Sequence, residues 1–228
     1  MATGPYAWRM ASLLDELLLL AYDDTTGKCR TSYLNLGLGG AIVLELTLAQ
    51  RIDVVDKKVV VIDATPTGDA LLDERLAAIA NDKPRAPRTV VERAGKGVRQ
   101  RVLDDLVARG VLRHEQSMVL GLFPSHRYLP ADAGIEADVR FRLSNAVTVG
   151  EAGNARTAAI ASLVYALQLT KVAFPGRDQR ATRKALKRIT EGSWASDATR
   201  KAVEAAQAAV MAAMVAATSA AAGSSGGS

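Results

Sequence analysis

From Leu13 to Leu20 the chain reads Leu-Leu-Asp-Glu-Leu-Leu-Leu-Leu, with leucines on more than one helical face. A central helix is expected here, opened by Ser12 as N-cap with Glu16 four residues on. Between Gly95 and Leu112, a turn of roughly 100° per residue puts Val98, Val102, Leu103, Leu106 and Val107 on one apolar arc, and Gly110 is placed as the stop. Lys96 and Arg99 fall inside that arc. A core-facing helix rarely spends its buried face on cations unless they snorkel out or face an anion near the helix start. Backbone N–H groups at the glycine-flanked start would add to the pull on such an anion. Two readings stand: cations that precede the true helix and are solvated, or an anion-headgroup site.

The rest of the pattern alternates short periodic runs with punctuation. Asp23 to Gly27 reads as a turn without the closing glutamate of a calcium loop. Gly37-Leu38-Gly39-Gly40 is expected to open a second helix, Ala41 to Ala49, and its glycines suit close helix packing better than a nucleotide loop. Ile52 to Ile62 holds two β-rich runs around a polar tip, hence a hairpin. Residues 103 to 123 repeat the design: a helix, then Val111-Leu112, a polar tip at His114-Glu115-Gln116, and Met118 to Phe123. Each half is a helix followed by a hairpin, a pattern like that of winged-helix units.

Between the halves, Pro66 and Gly68 fix a turn, Asp69 caps a helix, and Leu71, Leu72 and Leu76 face the core. Lys83 to Arg88 is a basic, proline-stiffened connection into Thr89 to Arg93. From Asp132 onward the chain is Ala-rich, with helices expected over Ile135–Val147, Ala155–Lys171, Gln179–Ile189 and Ala198–Ala217, and breaks at Pro175-Gly176 and Gly192-Ser193. The expected fold class is therefore mostly α: one compact helical domain with a few small β-hairpins. Its bounds are 10–217, between an N-terminal arm (1–9) and a flexible tail (218–228).

Composition narrows the function. The 228 residues carry a net charge of +5, which favours a phosphate-bearing partner, either an anionic membrane surface or nucleic acid. Asp15 and Glu16 interrupt the most apolar run, which is too short to cross a bilayer, so contact with a membrane would be peripheral and reversible. Cys29 is the one cysteine, and the start lacks the look of a secretory leader, so a cytoplasmic setting is expected. Abundant alanine with arginine favoured over lysine is associated with GC-rich bacterial genomes. Trp8 is expected to pack rather than to anchor in a membrane.

Catalytic signals are thin. His114 and His126 with Cys29 make no zinc-ligand spacing, and no strand, elbow and serine pattern supports a nucleophile. Asp69, Asp73 and Glu74 suit helix capping and solvated charge better than acid-base work. Lys28 and Arg30 flank Cys29 and would favour its thiolate, yet a lone cysteine is commonly inert. Arg177, Arg180, Arg183, Lys184, Lys187 and Arg188 read as a solvated helix face. No enzyme, cofactor or metal is expected.

Several segments then resemble the Golgi phosphoprotein 3 family, in order, from about Leu13 to Ala217. They are the Leu13–Leu20 run, Thr31-Ser32-Tyr33, Pro66-Thr67-Gly68-Asp69-Ala70-Leu71-Leu72-Asp73-Glu74, Val98-Arg99-Gln100-Arg101, and Leu106 to Leu112. The resemblance implies a mostly helical, non-enzymatic peripheral membrane protein that binds phosphatidylinositol 4-phosphate in a shallow basic pocket and serves as an adaptor for cytosolic tails of membrane proteins. It assigns Lys96 and Arg99 to the headgroup, together with Leu34 where the family has tryptophan and Gly39 where it has arginine. Losing one bidentate guanidinium contact costs about 1.5–3 kcal/mol, so weaker selectivity for the 4-phosphate is expected. The resemblance also places Met118 to Phe123 beside the pocket, where Leu120, Leu122 and Phe123 would wedge between headgroups. Arg101, Lys83, Arg85 and Arg88 would supply the surrounding field. The competing class is a winged-helix-type DNA-binding protein using Arg99, Arg101 and Arg109. A recognition helix would show those cations on its outer face rather than on the arc of Leu103 and Leu106.

Overall fold

The computed structural model describes residues 11–119, 123–191 and 197–223. Helix α1 (Leu13–Ala21) starts at Ser12, whose hydroxyl accepts from the Asp15 N–H while the Asp15 carboxylate accepts from the Ser12 N–H. Asp15, not Glu16, closes this capping box. Glu16 turns inward instead. All nine residues of α1 are buried, and the helix packs against α2 (Leu34–Leu48), α6 (Gly134–Val149) and α7 (Ala155–Ala166).

The start expected for the second helix is corrected: α2 begins at Leu34, and Gly37, Gly39 and Gly40 lie within it. Each glycine in a helix interior costs about 1 kcal/mol against alanine, so a tertiary reason is required. For Gly39 it lies in helix α4 (Pro87–Ala94) and the residue that ends it, whereas a Cβ on Gly37 would meet Leu167 and Leu17 and one on Gly40 would meet Val210 and Leu163. A Cβ on Gly39 would collide with the Val91 carbonyl oxygen, and one on Gly95 with the Asn35 carbonyl oxygen. The two helices touch backbone to backbone.

Strands β1 (Ile52–Val55) and β2 (Lys58–Val61) form the expected hairpin, turning through Asp56 and Lys57, both at positive φ as a two-residue type I′ turn requires. Helix α3 (Ala70–Ala80) is capped by the Asp69 carboxylate, which accepts from the Leu71 and Leu72 N–H groups. The basic connection is tied down where the Val59 N–H donates to the Arg85 carbonyl at 2.8 Å. Pro87 then starts α4.

Helix α5 (Val98–Ala108) corrects the single arc read over Lys96 and Arg99. Gly97 is left-handed at φ +70°, so Lys96 stands outside the helix and out of its phase. Val98, Val102, Leu103 and Leu106 are buried, whereas Lys96 and Arg99 are exposed. The following hairpin is also longer than expected. Strand β3 (Leu112–Val119) pairs with β4 (Phe123–Pro130), Val119 opposite Phe123 and His114 opposite Tyr128. His114, Glu115 and Gln116 are therefore strand residues and not a tip. The repeated helix-and-hairpin arrangement, α2 with β1–β2 and α5 with β3–β4, is present.

In the Ala-rich half, the helix expected over Ala155–Lys171 is two: α7, then α8 (Thr170–Ala173), parted where Gln168 takes φ +57°. Helices α9 (Gln179–Glu191) and α10 (Asp197–Gly223) follow. Because α10 continues through Gly223, residues 218–223 are helical and not tail. The architecture is mostly α, with two small antiparallel two-stranded sheets among the described residues. The N-terminal arm, Trp8, and the Gly192-Ser193 break lie outside them.

Candidate anion-binding cavity

Where α1 ends, the chain doubles back. Tyr22 bridges to Cys29, the Arg30 N–H donates to the Ala21 carbonyl, and the Tyr128 N–H donates to the Gly27 carbonyl at 2.9 Å. Arg127 adds bonds from its guanidinium to the Thr25 and Thr26 carbonyls. These contacts hold the 22–32 segment between the start of α5 and the base of the β3–β4 hairpin. They enclose a cleft of about 990 Å³.

Its wall carries Lys28, Arg30 and Arg99, the imidazoles of His114 and His126, and hydroxyls from Tyr22, Thr31, Ser32 and Tyr128. None of the described lining residues is acidic. Arg99 donates twice to the Tyr22 hydroxyl, from Nε at 3.0 Å and Nη2 at 2.7 Å. Burial raises the Tyr22 pKa, and the Arg99 bond only partly opposes this, so the phenol stays neutral at pH 7. Gln100 Nε2 donates to the Tyr128 hydroxyl at 3.2 Å, and Tyr128 meets Tyr22 edge to face at 5.9 Å. His114 stacks on Tyr128 at 4.6 Å, and its Nε2 lies 2.9 Å from His126 Nδ1. The Cys29 thiol donates to the Thr31 carbonyl. Such a wall offers hydrogen-bond donors and positive charge to an anion.

Of the four residues assigned to the headgroup from the sequence, Arg99 alone is on this wall. Lys96 is in the α4–α5 link, where its carbonyl accepts from Arg75 Nη2 at 3.0 Å. Leu34, 1% exposed, belongs to the core, and Gly39 is pressed on α4. Leu120 and Leu122 lie outside the described residues, and Phe123 is placed only as the first residue of β4. Three of the four supporting cations are locally paired: Arg101 with Glu74 at 2.6 Å, Arg85 with Asp82 at 3.0 Å, and Arg88 with Glu92 at 2.8 Å. Lys28, Arg30, Tyr22 and the histidine pair join the wall without a motif that announces them. Two cations around Cys29 are the only local signal.

Two further observations bear on class. Among the described residues, no group of three or more His, Cys, Asp or Glu side chains is placed to hold a metal ion. No described helix is long and apolar enough to cross a membrane.

A family model described as Golgi phosphoprotein 3 (GPP34) matches residues 13–206. Vacuolar protein sorting-associated protein 74 of Eremothecium gossypii is 29% identical over 160 residues, covering 58% of this chain and 47% of the relative. The protein of the same name from Schizosaccharomyces pombe is 24% identical over 220 residues, covering 79% and 65%. The chain thus spans about half to two-thirds of the length of these relatives. With the match extending from the first residue of α1 into α10, this chain belongs to the Golgi phosphoprotein 3 family.

Proposed function

We propose that the protein is a non-enzymatic, reversibly bound peripheral membrane protein of the cytoplasmic side, whose cleft takes the phosphorylated headgroup of an anionic lipid. The observation that carries this reading is Arg99, held by Tyr22 in a cleft that Lys28 and Arg30 also line, Arg30 paired with Asp23 at 3.1 Å, with no carboxylate among its described lining residues. A phosphate there would meet a pre-oriented guanidinium, which lowers the ordering cost of binding. Basic residues near an anionic leaflet add about 1 kcal/mol each, enough for reversible attachment by a few of them. Phosphatidylinositol 4-phosphate is the headgroup to test first, given the resemblance of the motifs around Arg99. Adaptor function toward cytosolic tails of membrane proteins belongs to the same reading, and the names of the two fungal relatives, which place them in vacuolar protein sorting, are consistent with it.

The test is sedimentation with liposomes of neutral lipid, phosphatidylinositol, phosphatidylinositol 4-phosphate or phosphatidylglycerol, at two salt concentrations, for wild type, Arg99→Glu and Lys28→Glu. Preference for the 4-phosphate, lost in both variants, is expected. Equal, salt-sensitive binding to every anionic lipid would reduce the cleft to a basic surface. No binding would overturn the lipid reading.

The DNA-binding alternative is disfavoured by one of its own residues. Arg109 is 8% exposed and paired with Asp15 and Asp105, and Arg101 is engaged by Glu74. Arg109 is thereby withdrawn from a phosphate backbone, whereas Arg101, 47% exposed, stays at the surface in its pair.

A further inference from the structure

We propose that a second pocket, on α3, β2 and α4 and separate from the cleft around Arg99, binds an acidic peptide segment of a partner protein through one aliphatic side chain and its flanking carboxylates. The pocket measures about 200 Å³, room for a single leucine or isoleucine side chain. Its apolar surface comes from Val59 on β2, Ala78 and Ile79 on α3, and Val90 and Ala94 on α4. Around these stand Arg75, Lys83, Arg85 and Arg93 against one carboxylate, Asp82.

The chain already shows how this wall treats a carboxylate. Arg85 grips Asp82 with Nε and Nη2, both at 3.0 Å, and Arg93 Nη1 reaches the same group at 2.6 Å. One acidic group is thereby shared by two guanidiniums, and Arg75 also lies 3.6 Å from the Glu74 carboxylate, so the four cations face two carboxylates in all and an excess of positive charge remains. Arg75 Nε is buried and finds no acceptor among the described residues. The geometry is also held from behind, since the Val59 N–H donates to the Arg85 carbonyl at 2.8 Å and Arg75 Nη2 donates to the Lys96 carbonyl. An apolar socket with a cationic rim selects a segment with acidic residues on both sides of one aliphatic anchor. A bare anion would leave the socket unfilled. A cationic or wholly apolar segment would leave the rim uncompensated.

The experiment uses the full chain and three fluorescein-labelled peptides: Glu-Asp-Leu-Glu-Asp, the same with serine for leucine, and Lys-Lys-Leu-Lys-Lys, read by anisotropy. Ala78→Trp places an indole in the opening, and Arg93→Glu reverses the rim. Binding of the acidic leucine peptide is expected to weaken at least about tenfold in either variant and on the serine exchange, and the lysine peptide is expected not to bind. Sedimentation with phosphatidylglycerol and phosphatidylinositol 4-phosphate vesicles is expected to stay within twofold of wild type in both variants. Equal affinity for the leucine and serine peptides, indifference of Arg93→Glu to the acidic peptide, or loss of vesicle binding in Arg93→Glu would overturn the proposal. In the last case the pocket would lie on a membrane-facing surface. Circular dichroism checks the fold of Ala78→Trp, and Arg93→Glu probes the rim independently of that fold check because its side chain is 55% exposed.

Discussion

The Arg109 guanidinium at the end of α5 lies 2.9 Å from the Asp15 carboxylate in α1, and the two side chains are 8% and 5% exposed. Asp105 approaches the same guanidinium at 2.9 Å. Neither Arg109 Nε nor Nη2 is aligned for a hydrogen bond, so charge and not direction dominates the contact. Arg109→Ala would leave the Asp15 carboxylate buried without its cation, at a cost of about 3–5 kcal/mol. Arg109→Met, which keeps the packing, is expected to lose less. Urea unfolding of both variants measures this, and an alanine variant within about 1 kcal/mol of wild type would show that the pair is dispensable.

Tyr22→Phe removes the acceptor that holds Arg99 without removing the charge. Vesicle affinity is expected to fall about three- to tenfold as the guanidinium loses its orientation, with stability little changed. A liposome titration compares it with Arg99→Glu, which is expected to abolish binding. Unchanged affinity in Tyr22→Phe would mean that the guanidinium needs no positioning.

Gly39→Arg restores the residue expected of the family at that place, and it is expected to unfold the protein rather than improve headgroup binding. Any Cβ there meets the Val91 carbonyl. Even Gly39→Ala is expected to cost about 1–3 kcal/mol through overpacking, seen as a lower melting temperature. A folded arginine variant with tighter 4-phosphate binding would refute the backbone contact.

Glu16 accepts from Arg142 Nη2 at 2.8 Å and Arg156 Nε at 3.0 Å, yet burial raises its pKa above the usual 4.5 against the pull of both arginines. A carboxyl raised in the folded state holds its proton at a pH where the unfolded chain has lost it. Its contribution to stability is therefore greatest at and below pH 4.5 and declines as pH rises through the folded value. Relative to Glu16→Gln, wild type is expected to lose ground as pH rises above about 4.5, read by urea unfolding at a series of pH values. A difference independent of pH would contradict the assignment.

Features written into short stretches were legible from the residues. Ser12 and Asp69 mark helix starts by local hydrogen bonding, and Asp56-Lys57 turns a hairpin by itself, whereas Pro87, read as part of the basic connection, is the first residue of α4. What escaped depends on distant partners. The glycines of α2 suit close packing and read as a helix start until their neighbours are known: α4 against Gly39, Leu167 against Gly37 and Val210 against Gly40. Among the described residues the β3–β4 hairpin pairs with no third strand that would impose a sided pattern, and His114 to Gln116 read as a turn. Arg99 stands out as a cation among valines and leucines, and it does line the cleft. Lys96 shares that pattern without sharing the wall, because one left-handed glycine resets the helical phase. Lys28 and Arg30 reach the wall through a loop held by Gly27 and Tyr128, a contact no local pattern announces.

The bonds from Tyr128 to Gly27 and from Arg127 to Thr25 and Thr26 give the long hairpin a fixed base. Beyond Arg127 the strand runs outward to Phe123, roughly 14 Å at about 3.4 Å per residue. His126 and Tyr128, on either side of Arg127, belong to the cleft wall, so three carbonyls of one turn, those of Thr25, Thr26 and Gly27, fix where that wall stands.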